Sequence, residues 1–259
     1  MRLRRGFRFV ICCVHGGLIF YVCRRLNLNG LLEELLEVYG AVHIDWLYLG
    51  LEGASRGIVL MWDRRAVEKV EEAVVCFSVS CRFKNVGNQF EWAFTGLYGP
   101  NLNKRRRKMR EELTGLISWW DVPWCLGSDF NIIRFPLERL GATTCTRAMY
   151  GFSDFISLHG LMDIPMEGGL YTWSNTSSTS RLDRFLFSLL LADHFTLFVQ
   201  RRLSRVLSDH YLILLEEGSH RRGRTPFHFG NMWLRVENFV NKGKLGGHPI
   251  CSKEILVLY

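Results

Sequence analysis

Apolar residues fall along this chain mostly in short runs broken by Gly, Asn or charged side chains, and only a few stretches carry a helical period. Leu31–Tyr39 sets Leu and Val against Glu and predicts a short amphipathic helix. Trp46–Leu51, Gly57–Trp62, Ala73–Phe83 and Phe90–Tyr98 read as strands. Between Asn103 and Trp120, Met109, Leu113, Leu116 and Ile117 recur at three- and four-residue spacing, predicting a helix with Asn103 as N-cap. Trp124–Leu126 predicts a strand that opens into the polar loop Gly127–Asn131, and Met149–His159 predicts another helix, stopped by Gly160. Tyr171–Trp173 and Arg181–Leu186 flank a Ser/Thr-rich turn, and Gln200–Leu207 and Tyr211–Leu215 close the pattern. The basic Met1–Arg5 and apolar Phe7–Cys23 resemble a leader only superficially: Arg8 and His15 interrupt the run, which reads better as a pair of buried strands or as a damaged sequence start. Strands alternating irregularly with a few helices predict a mixed α/β fold, two β-sheets packed as a sandwich and flanked by helices on both outer faces.

Composition narrows the classes. The 259 residues are 48% hydrophobic and 22% charged, which excludes disordered, collagenous and coiled-coil chains. A net charge of +8 suits an anionic partner. The eight cysteines include no C-x-x-C pair and no zinc spacing, so free thiols in a reducing compartment, nucleus or cytosol, are expected rather than a secreted chain. Cys76 and Cys81 read as buried thiols, and Trp119, Trp120 and Trp124 as core aromatics. No membrane partner is expected, and a monomer is.

Candidate chemistry sits at strand ends. Leu126–Asn131 puts Asp129 and Asn131 two residues apart, where alternation aims both to one side; Ser180–Phe185 holds Asp183, and Ser208–His210 joins a serine, Asp209 and an imidazole. Each alone is a common turn or surface pair. In this order, behind Tyr98-Gly99-Pro100-Asn101, they form a specific set.

That set resembles the endonuclease/exonuclease/phosphatase (DNase I-like) superfamily, whose pattern comprises Tyr-x-Pro-Asn, Gly-Asp-x-Asn, Arg-Leu-Asp and Ser-Asp-His. Here these stand at Tyr98–Asn101, Ser128–Asn131, Arg181–Asp183 and Ser208–His210, with Ser in place of the Gly. Phrases such as WWDVPWCLGSDFNIIRFPLER and SRLDRFLFS resemble more closely the endonuclease domain of plant LINE-type (non-LTR) retrotransposon polyproteins, over roughly residues 45–240. The resemblance implies an Mg²⁺-dependent DNA endonuclease, with Mn²⁺ as substitute ion. Asp129 would activate water, Asn131 hold water or phosphate, His210 contact the scissile phosphate, and Asp183 fix the imidazole. Tyr98 and Asn101 would line the phosphate pocket, Asp209 join the metal side, and Lys104, Arg105, Arg106 and Arg107 contact the DNA backbone.

The departures count equally. The superfamily opens with Trp-Asn-x-Arg-Gly and follows with Gln-Glu-Thr-Lys, whose Glu is the principal metal ligand. Neither occurs here: Val22–Leu28 stands at the second position, with Leu26 where the acid belongs, and Glu33, Glu34 and Glu37 lie nearby on the expected helix. The resemblance therefore implies a degenerate N-terminal part at residues 1–44, an endonuclease-like domain at 45–217, a basic irregular tail at 218–259, and little or no activity. A non-catalytic nucleic-acid-binding remnant of the same fold is the alternative.

Overall fold

Strand positions in this chain alternate between two apolar surfaces, and that alternation builds three layers. The structure, a computed structural model, describes residues 8–14, 18–24, 43–51, 56–195, 198–205 and 209–217, all within the unit Met1–Gly218. The helix expected at 31–39 and the tail from 218 lie outside the described residues. The chain runs β1 (Arg8–Val14), β2 (Leu18–Arg24), β3 (Ile44–Leu51), β4 (Arg56–Asp63), β5 (Val67–Val74), β6 (Ser78–Asn85) and β7 (Glu91–Tyr98). Then come α1 (Asn103–Trp120), β8 (Trp124–Asp129), α2 (Arg147–Leu158), β9 (Leu161–Asp163), β10 (Met166–Glu167), β11 (Trp173–Ser174) and β12 (Thr179–Ser180). It ends with β13 (Asp183–Ser188), α3 (Leu189–His194), β14 (Phe198–Arg202) and β15 (Ile213–Glu217).

One sheet has the order β10-β14-β15-β1-β2-β4-β3 and the other β5-β6-β7-β8-β13-β9, with β11-β12 a separate ribbon. Ile58, Leu60 and Trp62 of β4 and Ile213 and Leu215 of β15 meet Phe83, Trp92, Phe94, Phe185 and Phe187 between the sheets. The intervening positions Ala93, Leu97, Leu126 and Leu186 face the other way, onto Met109, Leu113 and Leu116 of α1 and Phe152, Phe155 and Ile156 of α2. The α/β sandwich expected from the sequence is the fold, although both long helices cover the six-stranded sheet; no helix covers the other sheet among the described residues. No helix among them is long and apolar enough to cross a membrane.

Local differences from the sequence pattern have physical causes. The run expected as one strand over Ala73–Phe83 is two, because the chain turns at 75–77. Glu112 of α1 holds that turn, accepting from the Cys76 and Phe77 amides and the Ser78 hydroxyl at 3.1, 3.2 and 2.6 Å. Cys76 is consequently exposed while Cys81 is buried. Helix α1 starts one residue earlier than the expected cap: Leu102 is the N-cap with no side-chain cap bond, and Asn103, the first helical residue, accepts instead from Arg106 through Oδ1 at 3.0 Å. Trp120 and Trp124 stack in the core at 5.3 Å, but Trp119, on the outer side of α1, is 63% exposed.

The back of β13 carries a buried charge network. Arg184 is fully buried and donates to Glu138 at 2.8 and 3.0 Å and to Asp163 at 2.7 Å. Arg181 reaches the same two carboxylates, at 3.3 and 2.7 Å. Burial pushes the Glu138 carboxyl up, but the charges of Arg184 and Arg181 overcome it and hold the group below its ordinary range. Removing one partner strands the others. Arg184→Ala should therefore destabilise by about 3–5 kcal/mol in urea denaturation. Arg82→Ala, which breaks a partly exposed pair with Glu91, should cost about 0–1 kcal/mol. Equal costs would remove the network from its place in the fold.

Candidate active site

Strands β8 and β13 pair antiparallel with Asp129 opposite Asp183, so the end of one and the start of the other put two carboxylates side by side. Both directions are fixed locally. Gly99 donates to the Asp129 carbonyl at 2.7 Å, and a Cβ on Gly99 would fall 2.0 Å from the Phe130 carbonyl oxygen, so only glycine permits this approach of the β7 exit to the β8 exit. The buried Thr172 hydroxyl accepts from the Leu182 and Asp183 amides, both at 2.9 Å. Its carbonyl accepts from Tyr211 at 2.7 Å, and Trp173 bridges to His210. Thr172 thus ties the start of β13 to the segment carrying His210.

The three side chains converge. His210 Nδ1 lies 2.8 Å from Asp183 Oδ2, and Nε2 lies 3.9 Å from Asp129 Oδ2. All three are buried, at 1% exposure for Asp129, 0% for Asp183 and 4% for His210. Burial alone would depress the imidazole, but Asp183 and Asp129, with a smaller push from Asp209, raise it to about 9. At neutral pH His210 is an imidazolium that donates Nδ1–H to Asp183 and turns Nε2–H toward Asp129.

The other expected site residues fall around this cluster unequally. Asn131 reaches it by a turn, not by strand alternation: β8 ends at Asp129, Asn131 has φ of 51°, and its amide donates to Asp129 Oδ1 at 2.8 Å. Its side chain donates to the Gly99 carbonyl at 2.6 Å. Tyr98 pairs with Asp129 across β7 and β8 and packs against the inter-sheet core, and Asn101 is exposed in the loop beyond. Asp209 accepts from the Trp173 indole at 3.1 Å and is not among the three side chains whose ligand atoms converge. Of the basic run, Lys104, Arg105 and Arg107 are exposed, Arg107 bridging to Glu111 at 2.8 Å. Arg106 is half-buried and donates to the Pro100 and Asn131 carbonyls at 2.9 and 2.5 Å, which staples the two loops together. The sequence reading assigned no role to Thr172 or Glu138, because a threonine in a Ser/Thr-rich stretch and a glutamate in a loop carry no distinguishing spacing. Ser208, Leu26, Glu33, Glu34 and Glu37 lie outside the described residues.

Asp129, Asp183 and His210 bring ligand atoms within 4.8 Å of one another, and the buried Asp183 Oδ1 has no hydrogen-bond partner among the described residues. Carboxylate oxygens suit a hard divalent ion in kind. One or two carboxylates, with water and a phosphate supplying the remaining oxygens, are what Mg²⁺ commonly takes, so Asp129 and Asp183 fit a divalent ion of that kind. The cluster suits a divalent cation as a class and does not by itself select Mg²⁺.

No family model and no curated protein matches this sequence. Solved structures do. An endonuclease/exonuclease/phosphatase family protein from Bacteroides thetaiotaomicron superimposes with a TM-score of 0.52 at 14% identity, covering 82% of this chain and 97% of its own. A humanized D. rerio TDP2 gives 0.50 at 13%, covering 80% and 97%. An endonuclease/exonuclease/phosphatase family protein from Leptotrichia buccalis gives 0.50 at 15%, covering 72% and 76%. The likeness is one of fold: the two-sheet sandwich with helices against it is shared with these proteins.

Two predictions test the site's geometry. The raised imidazole stabilises the fold fully below its unfolded pKa of 6.5, and that contribution is lost as pH rises through about 9. In chelator-containing buffer, the stability advantage of the unmutated chain over His210→Gln should shrink by about 3 kcal/mol between pH 6 and pH 10; a pH-independent difference would contradict the ion pair. Thr172→Val strands two buried amides and should lose about 2–4 kcal/mol and the downfield His210 Nδ1 proton resonance. Thr172→Ser, which keeps the hydroxyl, should restore the resonance.

Proposed function

We propose that this chain is a nucleic-acid phosphodiesterase, a DNA endonuclease of the LINE retrotransposon type, with low activity. The observation that carries the reading is the buried Asp129–His210–Asp183 cluster at the joined ends of β8 and β13. Phosphodiester hydrolysis needs a base for water, a donor to the charge growing on phosphorus, and help for the departing oxygen. Asp129 is the acceptor for the water proton. His210, charged at neutral pH, donates from Nε2 to a phosphate oxygen, and Asp183 keeps Nδ1 protonated and the ring in place. Asn131, anchored to Gly99, presents the turn beside Asp129, and Tyr98 and Asn101 border the approach from β7. Lys104, Arg105 and Arg107, exposed at the start of α1, supply backbone contacts to DNA in the nucleus or cytosol.

Low activity follows from the absent Gln-Glu-Thr-Lys segment. In the resembling family that segment's acid is the principal ligand of Mg²⁺ or Mn²⁺, and this sequence has Leu26 in its place, leaving Asp129 and Asp183 to hold an ion with water and phosphate. The exposed basic run favours a second reading, DNA binding without cleavage.

Supercoiled-plasmid nicking in Mg²⁺ or Mn²⁺ separates the two. Slow nicking by the unmutated chain should fall by about 10²-fold or more in both Asp129→Ala and His210→Ala. Nicking that survives both substitutions would place the chemistry elsewhere, and duplex binding without nicking would support the second reading.

A further inference from the structure

Tyr211, next in sequence to His210, is flanked by two guanidinium groups. Arg202 and Arg205 lie 4.3 and 4.5 Å from its ring centroid. Arg202 is held by a donated hydrogen bond to the Tyr171 carbonyl at 2.9 Å, and Arg205 by bonds to Ser174. The backbone makes room for this: Gly169 has φ of 134°, and a Cβ there would sit 2.3 Å from the Arg202 guanidinium carbon. Neither arginine has a carboxylate partner among the described residues. That sets them apart from Arg201 beside them, bridged to Glu167 and Glu216, and from Arg65 and Arg82, paired with Asp63 and Glu91.

Their position is tied to the candidate active site. Ser174, which holds Arg205, donates its amide to the Asp209 carbonyl, and Trp173 bridges to His210. Lys104, Arg105 and Arg106 belong to the Asp129 side, through the bonds of Arg106 to Pro100 and Asn131. Positive charge is therefore linked to the Asp129–His210–Asp183 cluster from two directions, from the start of α1 through Asn131 and from the end of β14 through Trp173 and Ser174. A small phosphomonoester has no group for the second side, whereas a polynucleotide offers successive phosphates along each strand.

We propose that Arg202 and Arg205, stacked on Tyr211, form a phosphate-backbone contact on the His210 side of the cluster, fitting the site to a phosphodiester inside a DNA strand. The inference rests on the nuclease reading and is tested by binding, which does not require turnover.

The experiment is fluorescence anisotropy of a labelled DNA duplex across a salt series, with the full chain, Arg205→Ala, Arg202→Ala/Arg205→Ala and Arg65→Ala, after circular dichroism shows each variant folded. The slope of log affinity against log salt should shrink by about 0.9 per arginine removed from the stack and stay unchanged in Arg65→Ala. Unchanged slopes in Arg205→Ala and the double variant overturn the proposal, as does duplex binding by the full chain that is absent or insensitive to salt. If the double variant is misfolded, Arg205→Ala, whose side chain is exposed, decides alone. Binding that follows the prediction while plasmid nicking is absent counts against the catalytic reading and leaves the contact standing.

Discussion

Strand β13 is where the fold and the candidate chemistry are joined, because its two faces carry opposite demands. Asp183 looks toward His210, and Arg184, the next residue, is driven by the pleat into the layer between the sheet and α2, where it also sits 5.4 Å from the Phe152 ring. A guanidinium with no exposure persists there only because Glu138 and Asp163 supply opposite charge and acceptors. Those partners come from the loop after β8 and from β9. Satisfying one arginine therefore fixes the path of the chain on both sides of the strand that presents Asp183. Thr172 completes the clamp from the front by occupying the amides of Leu182 and Asp183.

The same logic of compensation governs the cluster itself. Two buried carboxylates this close would repel each other and favour protonation of one. The imidazolium between them resolves the conflict, and the conflict in turn keeps the imidazole charged well above its ordinary range. Charge held in this way is available to a phosphate without reorganisation, which is what a preorganised electrostatic site requires. Arg106 sits on the Asn131 side of the cluster, half-buried and engaged by two backbone carbonyls. Its side chain acts first as a staple of the β7 and β8 exits, and this is why a basic run that reads as uniform in sequence divides in the structure into one structural residue and several exposed ones.

Legibility from sequence followed the same division between local and non-local causes. Helix α1 was readable to within its cap, because three- and four-residue spacing is a local property. The order and residue types of the polar segments single out Asp129, Asp183 and His210 from the sequence alone. Strand β5 was missed in its first part, since Val67-Glu68-Lys69-Val70-Glu71-Glu72 lies at a sheet edge where charge faces water, and such charge is what blunts an edge strand. Strand alternation predicts Asn131 beside Asp129, and it lies there, but through a left-handed turn beyond the end of β8. The Glu138–Arg184 pair spans 46 residues, and no local pattern announces a bond of that separation.

The N-terminal strands show how far fold and chemistry can separate. Resemblance marks this region as the part of the sequence that departs most from the expected motifs, yet β1 and β2 form the centre of the seven-stranded sheet. β1 pairs in parallel with β15, and β2 runs antiparallel beside β4 along its whole length. A central strand asks for an extended apolar run with the right neighbours, and many sequences meet that condition. A metal ligand asks for one carboxylate at one position. The two demands are therefore separable: a sequence can satisfy the sheet here without supplying a ligand.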